Sequence, residues 1–362
     1  MSEFRLPRLE EHRVGSRDGK MLLSYPAPRS PSGKVYRYSP NPDAAPRLFL
    51  IGEAPAQRTV SDELRPRMRL EPGSNQTVCP YSGHVGSDEE FVHFDDVEAV
   101  KRQVAWEVEA DIGDFLSKTA SDFKRSMGHG GLISMKMEVK APRTPKPLAI
   151  RTDLLRDLQC EVCHRPYGVY AIALFCPDCG APNVALHFRR ESDLVCEEVE
   201  LADRLEAEGR LEIAYRLMGN AHEDVLTAFE ATVKALYRHL VREVLPTDFG
   251  KLCARKEIGN AFQNIDRTRE KFAALGIDPF SHISAEALEM MRVNIQKRHI
   301  IGHNLSIADE HYGELTQSEQ PGETVRLMGD EVKAFAGVCL GVVEALEQHL
   351  FPPVAGIGSV TK

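Results

Sequence analysis

The chain has 362 residues, of which 42% are hydrophobic, so it is long enough for two or three domains with cores of their own. Its net charge of −9 at pH 7 excludes a surface coated with phosphate-binding side chains, and any contact with nucleic acid is expected to be local. No apolar run approaches the roughly 20 residues that span a bilayer, and the N-terminal sequence lacks the apolar core of a signal peptide. We therefore expect a cytoplasmic protein without a membrane segment.

Residues 1–93 are rich in proline, glycine, serine and arginine, and they predict a ribbon-like β module. A loop from Cys79 to His84 has the shape of a zinc knuckle in which Ser82 replaces the second cysteine. Because no Cys-x2-Cys pair lies upstream to complete four ligands, we expect this module to be metal-free and Cys79 to be an ordinary buried thiol. A metal site built from Cys79, His84 and His93 is the alternative.

The segment 94–148 is expected to hold a long helix, a strand and a basic linker. Asp95 and Asp96 favour a helix start, and apolar residues at spacings of three and four predict a core-packing or coiled helix. The apolar stripe consists of Val97, Val100, Val104, Val108, Ile112 and Phe115. Alternating apolar and polar residues then predict a half-buried strand at 133–139, and a proline-rich basic run predicts a stiff linker at 140–147.

Two Cys-x2-Cys pairs within 149–185 form the strongest single motif of the chain. Twelve residues separate Cys160 and Cys163 from the second pair, Cys176 and Cys179, so two turns can face each other. Four thiolates would then hold one tetrahedral Zn²⁺, and this pattern resembles a zinc ribbon. The zinc is expected to be structural, because four cysteine ligands leave no open position for catalysis. A redox dithiol would need a nearby βαβ pattern, which is absent, and whether the ribbon binds nucleic acid or protein stays open.

From residue 186 the hydrophobic pattern is helical. Connecting helices are expected at 186–208 and 212–218. As domains, we expect a connecting segment at 186–215, a helical bundle at 216–352 and a tail at 353–362. The four main helices are one with an apolar stripe from Leu226 to Val244, one at 261–275, one beginning near Ser284, and a last one beginning at Asp330. The predicted fold class is mainly α and multidomain, with a C-terminal helical bundle, a central zinc ribbon and a small N-terminal α+β region.

The helix that begins near Ser284 carries an arginine on its apolar side. The Ser284 hydroxyl can cap the first N–H groups of the helix. Leu288, Met291 and Ile295 follow at helical spacing and form the buried stripe. Arg298 continues that stripe, which places a guanidinium at the rim of a core. Such a position is costly unless an anion or a carboxylate meets the charge.

Two histidines and an asparagine follow Arg298 at the end of the same helix. His299 and His303 are four residues apart, so both rings project from one face. An arginine that grips a phosphate, beside an imidazole that exchanges protons near neutral pH, is the minimum set for cleaving RNA without a metal. The alternative is a structural helix end, with cationic residues near the negative pole of the helix dipole and Asn304 as the cap.

This stretch resembles the signature of the HEPN superfamily, an arginine and a polar residue followed by three residues and a histidine. Arg298, His299 and His303 match it, and the run 303–312 is similar to the sequence that often follows. Many relatives have glycine after the His-Asn pair, whereas this chain has Ser306. That departure puts the local turn in doubt, and it leaves the chemistry unchanged.

A second element agrees with the resemblance, which covers about 216–352. HEPN domains often carry a Glu-x3-Lys pair on their first long helix, and Glu230 and Lys234 have this spacing. If the pair faces the Arg298 helix, Glu230 would orient a catalytic cation. The alternative is a surface ion pair one helical turn apart, which stabilises a helix by a few tenths of a kcal/mol.

The resemblance implies a metal-independent endoribonuclease. His303 would act as general base on the ribose 2′-OH or as acid on the leaving 5′-oxygen, and Arg298 would stabilise charge on the pentavalent phosphorus. His299 and Asn304 would hold the scissile phosphate, and the product would carry a 2′,3′-cyclic phosphate. Two bundles of this family usually pair, which implies a homodimer with a composite cleft. Such nucleases commonly act as toxins or phage-defence effectors, and the other domains then serve as sensors. The RNA, the trigger and any antitoxin partner are not identified by the sequence.

A non-catalytic role is the second hypothesis. Some HEPN domains only dimerise or bind a partner, and the zinc ribbon would then tether the bundle to nucleic acid or protein. Residues 216–352 contain 15 Lys and Arg against 20 Asp and Glu, a poor balance for a surface that holds a polyanion. This balance favours the second hypothesis, whereas the intact set of Arg298, His299 and His303 favours the first.

Overall fold

The computed structural model describes residues 5–27, 29–55, 60–126, 156–303, 306–316 and 320–352. Its strands are β1 (Arg13–Arg17), β2 (Lys20–Leu23), β3 (Val35–Tyr38), β4 (Leu48–Ile51), β5 (Gln76–Val78), β6 (Val85–Ser87), β7 (Arg156–Gln159) and β8 (Pro166–Val169). Its α-helices are α1 (Pro7–Glu11), α2 (Phe94–Ser126), α3 (Val184–Ala207), α4 (Leu211–Val244), α5 (Phe249–Leu252), α6 (Arg255–Ile258), α7 (Ile265–Ala273), α8 (Ala285–His303), α9 (Glu310–Thr316) and α10 (Gly329–Leu350). The predicted strand at 133–139, the linker at 140–147 and the tail at 353–362 lie outside the described residues.

One antiparallel sheet joins the N-terminal module to the cysteine-rich segment. Its strand order is β3-β4-β8-β7, so β4 pairs with a strand that lies more than a hundred residues further along the chain. Phe49 of β4 lies opposite Val169 of β8, and both side chains are fully buried. The four cysteines of the two pairs share this core with Phe49 and Tyr167. The described parts of two segments expected to be separate modules, residues 29–93 and 156–183, therefore pair in one sheet and share a core, and we call them together the sheet domain.

The long helix α2 packs against the N-terminal segment through polar groups. Tyr25 donates a hydrogen bond of 2.6 Å to Glu107, and Arg8 forms an ion pair of 2.5 Å with Asp111. Within the predicted apolar stripe Val97 and Ile112 are exposed, whereas Val100, Val104, Val108 and Phe115 are half-buried. The predicted helix is confirmed, and its role as a core-packing or coiled helix stays a prediction.

The C-terminal half is helical, and its core is formed mainly by α3, α4, α8 and α10. The predicted inward residues of the last helix are all buried in α10, namely Val332, Phe335, Cys339, Val342, Val343 and Leu346. The expected connecting helix at 186–208 is part of this core as α3, in which Phe188, Val195 and Val199 are buried. None of the described helices is both long enough and apolar enough to cross a membrane.

Two predicted helix boundaries in this half are wrong. The helices expected at 212–218 and from Leu226 are one continuous helix, α4, because Met218 and Ala221 on either side of the expected break are buried in the core. The helix expected at 261–275 is a 3-10 turn followed by α7. Asn264 caps the start of α7, because its side chain accepts a hydrogen bond of 2.9 Å from the N–H of Arg267.

The sheet domain is held against α10 and α4 by specific contacts. Glu347 of α10 accepts hydrogen bonds of 2.9 Å from Arg67 and 2.8 Å from the N–H of Ala185. Phe175, which lies beside the second cysteine pair, packs edge-on against His239 of α4. The two halves therefore contact each other directly, through a buried carboxylate and an aromatic cluster.

Candidate functional site

The four cysteines of the two pairs come together in one buried cluster. Their sulfur atoms all lie within 4.8 Å of one another. The Sγ atoms of Cys160 and Cys179 are 3.8 Å apart, and those of Cys163 and Cys176 are 3.6 Å apart. Zn–S bonds of about 2.3 Å in a tetrahedron place sulfur atoms about 3.8 Å from each other, so the donor set fits Zn²⁺. Burial raises the pKa of the Cys176 thiol well above its usual range, and a bound cation would favour its thiolate form.

Each cysteine pair lies on a turn with the same backbone hydrogen bonds. The N–H of Cys160 donates to the carbonyl of Arg165 at 3.0 Å, and the N–H of Cys176 donates to that of Ala181 at 2.8 Å. Gly180 completes the second turn with a φ of 71°, in the left-handed region that favours glycine. A Cβ atom at Gly180 would also lie 2.9 Å from the side chain of Arg69. Local chain geometry therefore positions all four ligands.

The loop at Cys79 is a third turn of this kind. The N–H of Cys79 donates to the carbonyl of His84 at 2.8 Å, and the N–H of Gly83 donates back to Cys79 at 2.9 Å. Cys79 is fully buried, as the sequence predicts. The metal content of this loop stays a prediction, since among the described residues only the four-cysteine cluster brings metal ligands together.

The helix α8 begins and packs as its sequence predicts. The Ser284 hydroxyl accepts a hydrogen bond of 3.2 Å from the N–H of Ala287, which caps the helix. Met291 is fully buried, and Leu288 and Ile295 are half-buried against the same core. The stripe therefore faces the interior.

Arg298 lies at the rim of that core and meets a carboxylate. Its Nη2 atom donates to Glu223 of α4 at 3.1 Å, and its side chain is 26% exposed. His299, the next residue, is exposed. The helix continues through His303, but the side chain of His303 and the whole of Asn304 lie outside the part of the chain that the structure describes.

The Glu-x3-Lys pair does not supply the partner of Arg298. Glu230 accepts a hydrogen bond of 2.6 Å from Gln263, and the carboxylate at Arg298 belongs to Glu223. Glu223 and Glu230 are seven residues apart, so they lie on nearly the same face of α4 about 10 Å from each other along its axis. Glu223 was not predicted as the partner of Arg298, and the one sequence signal for it is its place two helical turns before Glu230. Lys234 is half-buried on the same helix.

The turn after α8 adopts the conformation that the missing glycine would favour. Ser306 has a φ of 64° and is buried. Its carbonyl accepts a hydrogen bond of 2.8 Å from the N–H of Val325, and its hydroxyl accepts one of 3.2 Å from Tyr215. These contacts offset the strain of a non-glycine residue in the left-handed region.

A buried polar network beneath Arg298 was not predicted. His222 of α4 and Asn294 of α8 are hydrogen-bonded at 3.0 Å, and both are buried. Lys297 is also buried, and it forms an ion pair of 2.9 Å with Glu331 of α10. The network ties three helices together directly below the motif, so the backbone that carries Arg298 is held in place.

Buried histidines predict that acid destabilises the protein. Burial lowers the pKa of His187, His222 and His239 to about 4, whereas a histidine in the unfolded chain has a pKa of about 6.5. The unfolded state therefore binds more protons between these values, and the free energy of unfolding falls as pH falls through that window. The free energy of unfolding falls between pH 7 and pH 5, and His222→Gln, which removes one such group, should make that fall smaller by about 2 kcal/mol. Urea unfolding at the two pH values measures this.

The control for that experiment is His282→Gln, because His282 is exposed. It makes the same substitution at the surface, so it shows what the change from histidine to glutamine does apart from burial. Equal pH dependence in wild type and His222→Gln would contradict a buried neutral imidazole.

Comparison of the chain with protein-family models, with curated proteins and with solved structures finds no match. The likeness to the HEPN superfamily therefore rests on the two sequence motifs.

Proposed function

We propose that the protein is a metal-independent endoribonuclease whose site lies at the C-terminal end of α8. The proposal rests mainly on the position of Arg298. Its side chain lies at the rim of the core, and the next residue, His299, is exposed. Its ion pair with Glu223 lies at the surface, where such pairs contribute at most about 1 kcal/mol. Glu223 holds the guanidinium in place when no RNA is bound. A phosphate can displace that carboxylate at little cost in free energy.

The reaction that fits these residues is an internal transesterification of RNA. The ribose 2′-oxygen attacks the adjacent phosphorus, its proton passes to a base, and the 5′-oxygen of the next nucleotide leaves with a proton from an acid. His303 would serve as that base or acid, and Arg298 would neutralise the charge on the pentavalent phosphorus. His299 and Asn304 would hold the phosphate. No metal ion enters any of these steps, and the zinc of the sheet domain has a structural role only.

The quaternary structure that suits this reaction is a homodimer through the C-terminal helical part. One copy of α8 offers a single set of cationic groups, and a second copy across a two-fold axis would complete a composite cleft for RNA. The sheet domain would then act as the sensor or the tether of a toxin or defence effector in the cytoplasm. Light scattering at micromolar concentration should give twice the 40.4 kDa of one chain, and a monomer would count against the composite cleft.

The second candidate is a non-catalytic dimerisation or binding module. It is favoured by the carboxylate of Glu223, which already neutralises Arg298, and by the acidic balance of residues 216–352. In this case the substitution His303→Ala would change stability alone.

Incubation with total RNA in the presence of EDTA separates the two candidates. The nuclease should cleave without added metal, because its charge stabilisation comes from side chains. Cleavage that requires Mg²⁺ would contradict the proposal, and intact RNA under both conditions would favour the binding module.

A further inference from the structure

A polar pocket of about 250 Å³ lies in the sheet domain, and no residue of α8 lines it. It opens between β3, the β5–β6 hairpin and the second cysteine turn. Its walls include Arg29, Arg37, Arg165, Thr77, Asp88 and Asp178. Arg29 at the rim already donates to Glu53 and to the carbonyl of Gly33, at 2.8 Å and 2.9 Å. Arg37 and Arg165 do not donate hydrogen bonds of this kind to the described residues.

Arg37 and Arg165 carry two guanidinium groups without hydrogen-bond acceptors. Their side chains are 19% and 18% exposed, and the Nε atom of each is buried without a partner. Neither group donates a hydrogen bond to any residue that the structure describes. Burial lowers the pKa of Arg37, and the nearby charge of Arg165 lowers it further, while Asp88 raises it. Two cations that line one small, mostly buried pocket are costly unless an anion is close to them.

The carboxylates of the pocket balance the charge but leave the N–H groups unused. Asp88 lies 3.9 Å from Arg37, and Asp178 lies 3.7 Å from Arg165, which are ion-pair distances beyond hydrogen-bond length. The other oxygen of each carboxylate accepts a hydrogen bond from elsewhere in the sheet domain, at 2.7 Å and 2.9 Å. The guanidinium N–H groups of Arg37 and Arg165 therefore have no hydrogen-bond acceptor among the described residues.

We propose that this pocket binds a terminal phosphate group, either as inorganic phosphate or as a phosphate monoester. A phosphate offers three terminal oxygens and more than one negative charge to two guanidinium forks, whereas a carboxylate offers two oxygens and one charge. Drug-sized ligands occupy pockets of about 300–1,000 Å³, so this smaller one holds the phosphate and only the atoms next to it. The site is independent of the nuclease proposal, because it shares no residue with α8.

Isothermal titration of the zinc-loaded, full-length protein tests the site at constant ionic strength. The three probes are inorganic phosphate, adenosine 5′-monophosphate and acetate. Saturable binding of phosphate, with much weaker binding of acetate, is expected. Tighter binding of the nucleotide than of phosphate identifies a monoester as the source, and equal affinity identifies the free ion. The absence of saturable phosphate binding into the millimolar range, or equal affinity for acetate, overturns the proposal.

Three substitutions locate the binding. Arg165→Gln should weaken phosphate binding roughly ten- to a hundredfold, since hydrogen bonds between charged groups are lost. Asp88→Asn should tighten it a few-fold, because it removes a competing negative charge and keeps an oxygen for the Thr77 hydroxyl. A gain in affinity cannot come from misfolding, which protects the test if Arg165→Gln folds poorly. Arg190→Gln, on the exposed face of α3, makes the same charge change and should have no effect. Unchanged affinity in both pocket variants would place the phosphate elsewhere and refute the site.

Discussion

Cys176→Ser should abolish zinc binding and unfold the sheet domain. Structural zinc contributes about 10–16 kcal/mol in small zinc peptides, far more than a domain of this size can lose. The four cysteines lie in the same core as Phe49 and Tyr167, so loss of zinc should loosen β3 and β4 as well as β7 and β8. Hydrogen exchange should rise in all four strands, while α4 and α10 keep most of their protection because they pack mainly on α3 and on each other.

The matched control for the zinc experiment is Cys79→Ser. Cys79 is buried in the same core but lies outside the four-cysteine cluster, so the variant should retain one zinc per chain by elemental analysis. Freshly purified wild-type protein without zinc would contradict the metal centre. A Cys176→Ser variant whose strands exchange as slowly as those of wild type would contradict its structural role.

His303→Ala should slow RNA cleavage by roughly two to four orders of magnitude, the usual contribution of a positioned acid or base. RNA binding should change little, because the imidazole acts mainly on the proton that is transferred in the transition state. Arg298→Ala should reduce both cleavage and binding, since its charge acts on the bound phosphate and on the transition state. Single-turnover rates and equilibrium binding, measured on the same RNA, separate the two effects.

Two carboxylate variants serve as a matched pair in that experiment. Glu223→Gln should alter the rate of cleavage, because Glu223 holds the Arg298 guanidinium at 3.1 Å. Glu230→Gln should have a smaller effect, because Glu230 is hydrogen-bonded to Gln263 and not to Arg298. If Glu230→Gln were the more damaging variant, the pairing between α4 and α8 would differ in the active protein. Unchanged cleavage by His303→Ala would make α8 a scaffold.

The features that sequence predicted best are those fixed by neighbours in the chain. The spacing of the two cysteine pairs sets the turns that carry them, and each turn closes on itself with backbone hydrogen bonds. The capping of α8 by Ser284 is equally local. The acidic partner of Arg298 was expected on energetic grounds, because a guanidinium at a core rim needs one. The sequence did not predict that this partner is Glu223, because the packing of α4 on α8 places Glu223 beside Arg298.

The features that sequence missed depend on long-range packing. Pairing of β4 with β8 joins strands that are more than a hundred residues apart, and no local pattern specifies that register. The helices expected at 212–218 and from Leu226 are one helix, because a glycine at position 219 costs only about 1 kcal/mol in a helix interior and burial of Met218 and Ala221 outweighs that cost. In α2 the apolar stripe is half-buried, and burial of Glu107 and Asp111 beside it, with Tyr25 and Arg8 as partners, cannot be read from a hydrophobic pattern.

The chemical ends of the RNA fragments test the central claim most directly. When RNA is incubated with the protein in EDTA, attack by the ribose 2′-oxygen must leave a 2′,3′-cyclic phosphate on one fragment and a 5′-hydroxyl on the next. Mass spectrometry of the fragments should find both ends, in wild type and at a much lower level in His303→Ala. Fragments with a 3′-hydroxyl and a 5′-phosphate would show that activated water, rather than the ribose, attacks the phosphorus, and would contradict the mechanism assigned to α8.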